Sequence, residues 1–174
     1  MNENNKPLYS KGEEIFNAVT HIVGGSLGII YLIVLVIFSA PNTTNTIAVI
    51  IFSICTIILY TMSALYHFLP VGKAKKVFQI FDHCTIFLLI AGTYTPFCLI
   101  SLKGTIIGIV ILILEWLFAI LGITGNAIAM KNKWIKSLSM ILYVIMGWLI
   151  LIAFPILLEN ISLSSFILLL LGGI

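Results

Sequence analysis

The chain contains no arginine, and only 9% of its 174 residues are charged, against about a quarter in soluble globular domains. Its nine basic residues are all lysines scattered through short polar stretches. A net charge of +3 spread this way gives no phosphate-binding face, so nucleic acid is excluded as a partner. Cysteine is scarce as well. Cys55, Cys84 and Cys98 lie inside apolar runs without CxxC spacing, which excludes a disulfide framework and leaves them as small buried hydrophobes. No cleavable leader is expected: the first strongly apolar run starts near Ile22, behind Glu13 and Glu14, and has no small-residue cleavage site. Short segments of alternating polarity, which a membrane β-barrel needs, are also missing.

What the chain has in abundance is apolar side chain: 61% of residues are hydrophobic and the mean hydropathy is +1.21. A water-soluble fold of this length cannot hide so much, so lipid must solvate part of it. Crossing about 30 Å of hydrocarbon takes roughly 20 helical residues. Five runs are long enough, over Ile22–Ala40, Thr46–Phe68, Ile80–Leu102, Thr105–Ile123 and Leu138–Leu157. A sixth begins near Leu163 and is too short to cross before Ile174. Only helices satisfy every backbone group in lipid over such lengths. The expected fold is therefore an all-α, polytopic transmembrane bundle of five full helices and part of a sixth, in one domain over 1–174. The brief polar connections make neighbouring helices antiparallel. With the N-terminus inside the cell, eight lysines (Lys6, Lys11, Lys73, Lys75, Lys76, Lys131, Lys133, Lys136) fall on the inner side and only Lys103 on the outer. That bias predicts a cytoplasmic N-terminus.

Polar residues at membrane depth are costly and often functional. Ser63 and His67 are four residues apart near the end of the second span and share a helix face, about 5–6 Å apart between Cβ atoms. Asp82 stands at the start of the predicted third span, across the lysine-containing connection. Two readings stand. In one, His67 gives a neutral nitrogen to a zinc ion while Asp82 orients a ligand or takes a proton from metal-bound water. In the other, His67 faces headgroups, Asp82 caps a helix and Ser63 bonds to its own helix. One histidine is not a zinc site, and His21 and His83 are poor further candidates: the first opens a helix, the second points about 100° away from Asp82. Glu14, Asn17, His21 and Gly24 form a stripe that either lines the bundle interior or marks the interfacial start of the first helix. Pro96 predicts a kink, with Thr93 and Thr95 repairing freed carbonyls. Gly122, Gly125 and Gly147 are expected to allow close helix packing. Glu115 is the deepest charge and must be protonated, paired or facing water.

Taken together, these residues resemble the bacterial hemolysin III family, the prokaryotic arm of the progestin and adiponectin receptor superfamily. The matching pieces are Glu14-x-x-Asn17-x-x-Thr20-His21-x-x-Gly24, Ser63-Ala64-Leu65-Tyr66-His67, the run from Phe81-Asp82-His83 to Thr93-Tyr94-Thr95-Pro96, and Met146-Gly147-Trp148. The resemblance implies a seven-helix bundle in the bacterial plasma membrane with a cytoplasmic N-terminus. It also implies a zinc ion held near the inner leaflet by three histidines. His67 matches the first of these; the other two belong to a His-x-x-x-His at the start of the family's seventh helix. Ser63 and Asp82 match the motif serine and aspartate that polarise or orient zinc-bound water. The sequence ends at Leu171-Gly172-Gly173-Ile174 without that His-x-x-x-His, so the expectation is a C-terminally truncated chain with an incomplete zinc site. Eukaryotic relatives resemble zinc-dependent lipid amidases, which makes a lipid amide the implied substrate and membrane lipids the implied partners. The alternatives are a membrane-perturbing, pore-forming hemolysin and a non-catalytic membrane-homeostasis factor with a structural zinc.

Overall fold

The computed structural model describes residues 9–173, and among them every regular element is helical. The first span, α1, covers Lys11–Ser39, followed by α2 over Thr43–Phe68 and α3 over Lys73–Pro96, which continues as a π-helical turn over Phe97–Ser101. Next come α4 over Ile106–Ala129 and a broken fifth span, made of α5 over Lys133–Trp148, a 3-10 segment over Leu149–Ala153 and α6 over Phe154–Asn160. A final helix, α7, covers Leu163–Gly173. Five segments are long and apolar enough to cross a membrane, as expected. At 11 residues α7 is too short to do so.

Four of the five spans begin earlier than hydropathy predicts, and for α1, α2 and α5 a side-chain cap, not the onset of apolar sequence, fixes where the helix starts. Ser10 and Glu13 form a reciprocal capping box, Glu13 N donating to Ser10 Oγ at 3.3 Å and Ser10 N to Glu13 Oε2 at 2.6 Å. That starts α1 at Lys11, not at Ile22. The connections owe their polarity to the same need: Asn42, Thr105 and Asn132 cap α2, α4 and α5 with their side-chain oxygens. Helix α3 starts at Lys73 instead of Ile80, so most of the expected loop after α2 is helical.

Each span packs on the next, and α3 also touches α5. The α1 helix is the least buried of the five, as befits an edge helix with lipid on most sides. Two close approaches bind the inner helices. At Gly92 a Cβ would lie 2.6 Å from Cys55, and at Gly122 it would collide with the Phe87 ring, so backbone meets side chain directly, as in small-residue membrane packing. The same expectation fails at Gly147, where a Cβ would meet open space, and Gly125 makes only ordinary contact with Ile135. Gly147 matters through its carbonyl instead, which accepts from Tyr94 Oη at 3.0 Å.

The predicted kink at Pro96 takes the form of the π turn, with Leu102 N donating to Phe97 O at 2.9 Å. Thr93 and Thr95 do not repair the carbonyl of Gly92, the one Pro96 frees. Their hydroxyls donate four residues back, to Leu89 O at 2.6 Å and Ala91 O at 2.9 Å. Thr95 also accepts from Trp116 Nε1 at 3.2 Å and so ties α3 to α4.

Candidate functional site

The most concentrated polar chemistry lies where the start of α1, the end of α2 and the start of α3 meet. Helix α2 ends at Phe68, and its last carbonyls need donors. Lys75, in the first turn of α3, supplies them: its Nζ donates to Tyr66 O at 2.8 Å and Leu69 O at 3.1 Å, with His67 O at 3.5 Å. The same ammonium lies 4.7 Å above the centre of the Tyr66 ring. It is 4% exposed, and a lysine buried so deeply requires a counter-charge. Glu14 of α1 provides it, with Oε1 3.0 Å from Lys75 Nζ.

The other oxygen of that carboxylate, Oε2, is 2.8 Å from His67 Nδ1. A carboxylate oxygen only accepts, so Nδ1 is the donor, and in the neutral form of the ring the lone pair is on Nε2. Aromatic side chains enclose the imidazole. Tyr9 meets it edge-on at 5.5 Å, Tyr66 lies tilted at 4.7 Å, and His21 stacks on it at 5.9 Å with the rings 10° from parallel. His21 Nδ1 is buried without a hydrogen-bond partner among the described residues. His21 also forms part of the wall of an apolar groove of about 430 Å³ between α1 and α2, with Ile29, Ile57, Tyr60 and Phe68 further along it.

The three residues singled out from the sequence fall differently. His67 is buried at the centre of this cluster, and Ser63 is buried one turn earlier on the same helix. No hydrogen bond joins Ser63 to His67 among the described residues. Asp82 is the tenth residue of α3 rather than its start, so the capping role fails; the N-cap position belongs to Gly72, which has no side chain to offer. The carboxylate of Asp82 approaches His83, Oδ2 lying 3.7 Å from Nδ1, a nitrogen already 2.9 Å from Gln79 O. The group that meets His67 is thus Glu14.

Lys75 was hidden among three connecting lysines of the same apparent kind. Its signal was the unpaired end of α2 within one short turn of a cation. Of the two readings of the Glu14–His21 stripe, the interior one describes Glu14 and His21, both of which reach the His67 ring or its nitrogen. Glu13 keeps the interfacial role, in the capping box.

Among the described residues, no group of three or more His, Cys, Asp and Glu side chains is gathered to hold a metal ion. The donor chemistry fits a single oriented imidazole and does not fit a complete zinc site.

The family described as "Haemolysin-III related" matches residues 9–174. The chain belongs to the haemolysin-III-related family. It is 43% identical to Hemolysin-3 of Bacillus cereus over 164 residues, covering 93% of this chain and 74% of that protein. It is 40% identical to the Hemolysin-3 homolog of Bacillus subtilis (strain 168) over 169 residues, covering 96% of this chain and 78% of the relative. No solved structure matches at a significant level. The haemolysin-III-related match spans both the α1 stripe and the α2–α3 cluster, so the polar centre lies inside the family region.

Proposed function

We propose that this haemolysin-III-related membrane protein works through the polar centre at the α1–α2–α3 end, with His67 Nε2 serving as one zinc ligand of a site that hydrolyses a lipid amide. The observation that carries this reading is the 2.8 Å hydrogen bond between His67 Nδ1 and Glu14. Metal-binding imidazoles are usually held this way, the far nitrogen fixed by a carboxylate so that the near one is oriented and more basic. The apolar groove beside His21 supports a substrate with an acyl chain, since its lining offers a chain contact and little else.

Two further histidines are required by the family resemblance and are not among these 174 residues. The reading therefore applies to a protein that carries them, and no hydrolytic step follows from the described residues alone. When bound, zinc would supply a water acidic enough to attack near neutral pH. Ser63 and Asp82 are the polar side chains proposed to line that centre. The preponderance of lysine in one set of connections supports a cytoplasmic N-terminus and an inner-leaflet position for the centre, in a bacterial plasma membrane.

The test is metal content and fatty-acid release by the protein isolated from its native membrane, with and without His67→Ala. Zinc bound by wild type and lost with the variant, together with lost release, supports the reading. Wild type without zinc removes it. Size-limited dye leakage from liposomes that persists in His67→Ala would favour membrane perturbation instead, the property that the relatives' name, Hemolysin-3, suggests.

A further inference from the structure

A second polar feature lies away from that centre. Glu115 stands midway along α4, fully buried, and neither of its carboxyl oxygens has a hydrogen-bond partner among the described residues. One turn before it, Ile111 packs in a core cluster with Tyr94, Cys98, Leu149 and Ala153. One turn after it, Ala119 packs in a second cluster with Phe87, Ala91, Leu142 and Met146. Residues four apart share a helix face, so the carboxyl enters the bundle at the seam between the two clusters.

Both helices opposite that seam leave regular α geometry beside it. Helix α3 turns π-helical after Pro96, and α5 turns 3-10 after Trp148. The Tyr94 hydroxyl joins the two segments, donating to Gly147 O at 3.0 Å and accepting from Ile150 N at 3.0 Å. Tyr94 and Cys98 are the ionisable side chains that α3 and its π turn contribute to the cluster around Ile111. The α5 side of the seam contributes Met146, Leu149 and Ala153, none of them titratable, and Tyr143 packs against the second cluster with its hydroxyl donating to His83 O at 2.9 Å.

We propose that Glu115 is a proton-binding site inside the bundle, separate from the His67 centre, whose proton is exchanged through opening at the α3 and α5 breaks. An ionised carboxylate at this seam would have no cation and no donor, at a cost of several kcal/mol. A proton on one oxygen removes the charge with a single new O–H bond, and water takes the proton back on release. A metal cation is a poorer occupant. Hard cations take about six oxygen ligands or more, and the side-chain oxygens found about the two clusters among the described residues, those of Tyr94, Thr95 and Tyr143, are all engaged in hydrogen bonds already. Regular helix resists opening, whereas π turns and 3-10 segments inside longer helices often mark places that rearrange. Here both breaks flank Glu115, the one fully buried acid among the described residues.

The experiment uses dicyclohexylcarbodiimide, which reacts with protonated carboxyls in apolar surroundings, on the whole protein in phosphatidylcholine vesicles. The expected result is an adduct on the peptide containing Glu115. It should fall about tenfold per pH unit above the group's titration midpoint, be lost in Glu115→Gln and be unaffected by sodium. Wild type should also show the infrared C=O stretch of a protonated carboxyl. That readout stands even if the variant folds poorly. Absence of both adduct and band in wild type overturns the proposal, and so does protection by sodium at constant pH, which would make this a metal-cation site. Either result leaves the His67 reading untouched, because neither experiment involves that centre.

Discussion

Replacing Lys75 with methionine perturbs the α1–α2–α3 end without changing side-chain volume much. The methionine keeps an apolar stem, but it removes an ammonium that pairs with Glu14 at 3.0 Å and donates to Tyr66 O and Leu69 O at 2.8 and 3.1 Å. A charge-assisted bond contributes about 1.5–3 kcal/mol and a neutral one about 1 kcal/mol. Breaking one side of a buried pair costs about 3–5 kcal/mol, because the other charge is left alone. Glu14 keeps some exposure, its side chain being 16% accessible, so the lower half of that range is expected for Lys75→Met. Glu14→Gln should cost less, about 1–3 kcal/mol, since an amide can still bond to both partners. The informative quantity is the double variant. With both charges gone neither is stranded, and its loss should be smaller than the sum of the two single losses by about 1–3 kcal/mol. Reversible unfolding in mixed detergent–lipid micelles gives all three values. Strict additivity, or a Lys75→Met loss below about 0.5 kcal/mol, would refute the picture of a buried, mutually dependent pair.

Other consequences can be checked with the same preparations. Glu14→Gln should weaken zinc binding by about 10–100-fold in a protein that holds the metal, since an amide that accepts from Lys75 must donate to His67 Nδ1, which puts the ring proton on Nε2 and removes the carboxylate's charge; equilibrium dialysis measures it. Gly122→Val should cost at least about 1–3 kcal/mol by driving into the Phe87 ring, whereas Gly147→Ala, with open space at its Cβ, should stay within about 0.5 kcal/mol; thermal unfolding compares them. Tyr94→Phe should lose about 1–2 kcal/mol, because one hydroxyl serves both Gly147 O and Ile150 N, and amide exchange should quicken at Ile150. In intact cells, an impermeant maleimide should label Lys103→Cys and not Lys131→Cys; the reverse pattern would invert the topology. The three native cysteines are buried and give little background.

Hydropathy revealed the five spans because apolar runs of such length have one solution in lipid. It misplaced their ends because a capping box at Ser10 and Glu13 adds a polar turn or more to a helix without adding any greasiness. The break after Pro96 was legible, since a proline removes a donor; that it becomes a π turn was not, because this depends on how Phe97–Ser101 packs on α4. The 3-10 segment at Leu149–Ala153 carries no proline or glycine itself, and its signal was Pro155 just beyond it, which removes the amide that a continuous helix would pair with Leu151 O. That Ser63 and His67 share the buried side of one helix was legible from their spacing. Their partner was not, because contacts between Glu14, His67 and Lys75 join residues on three helices, and only tertiary packing brings them together. Asp82, expected at the start of the third span, is instead the tenth residue of α3, because that helix starts at Lys73 and not at Ile80.

Three helix ends come together so that Glu14 bridges His67 and Lys75. Solid-state NMR on the protein in bilayers, with nitrogen labelled in lysine and histidine and carbon in glutamate, reads this directly. Strong dipolar coupling from the Glu14 carboxyl carbon to both Lys75 Nζ and His67 Nδ1 is predicted, matching nitrogen–oxygen contacts of 3.0 and 2.8 Å. A Lys75 ammonium that is mobile in water and uncoupled to Glu14 would contradict it.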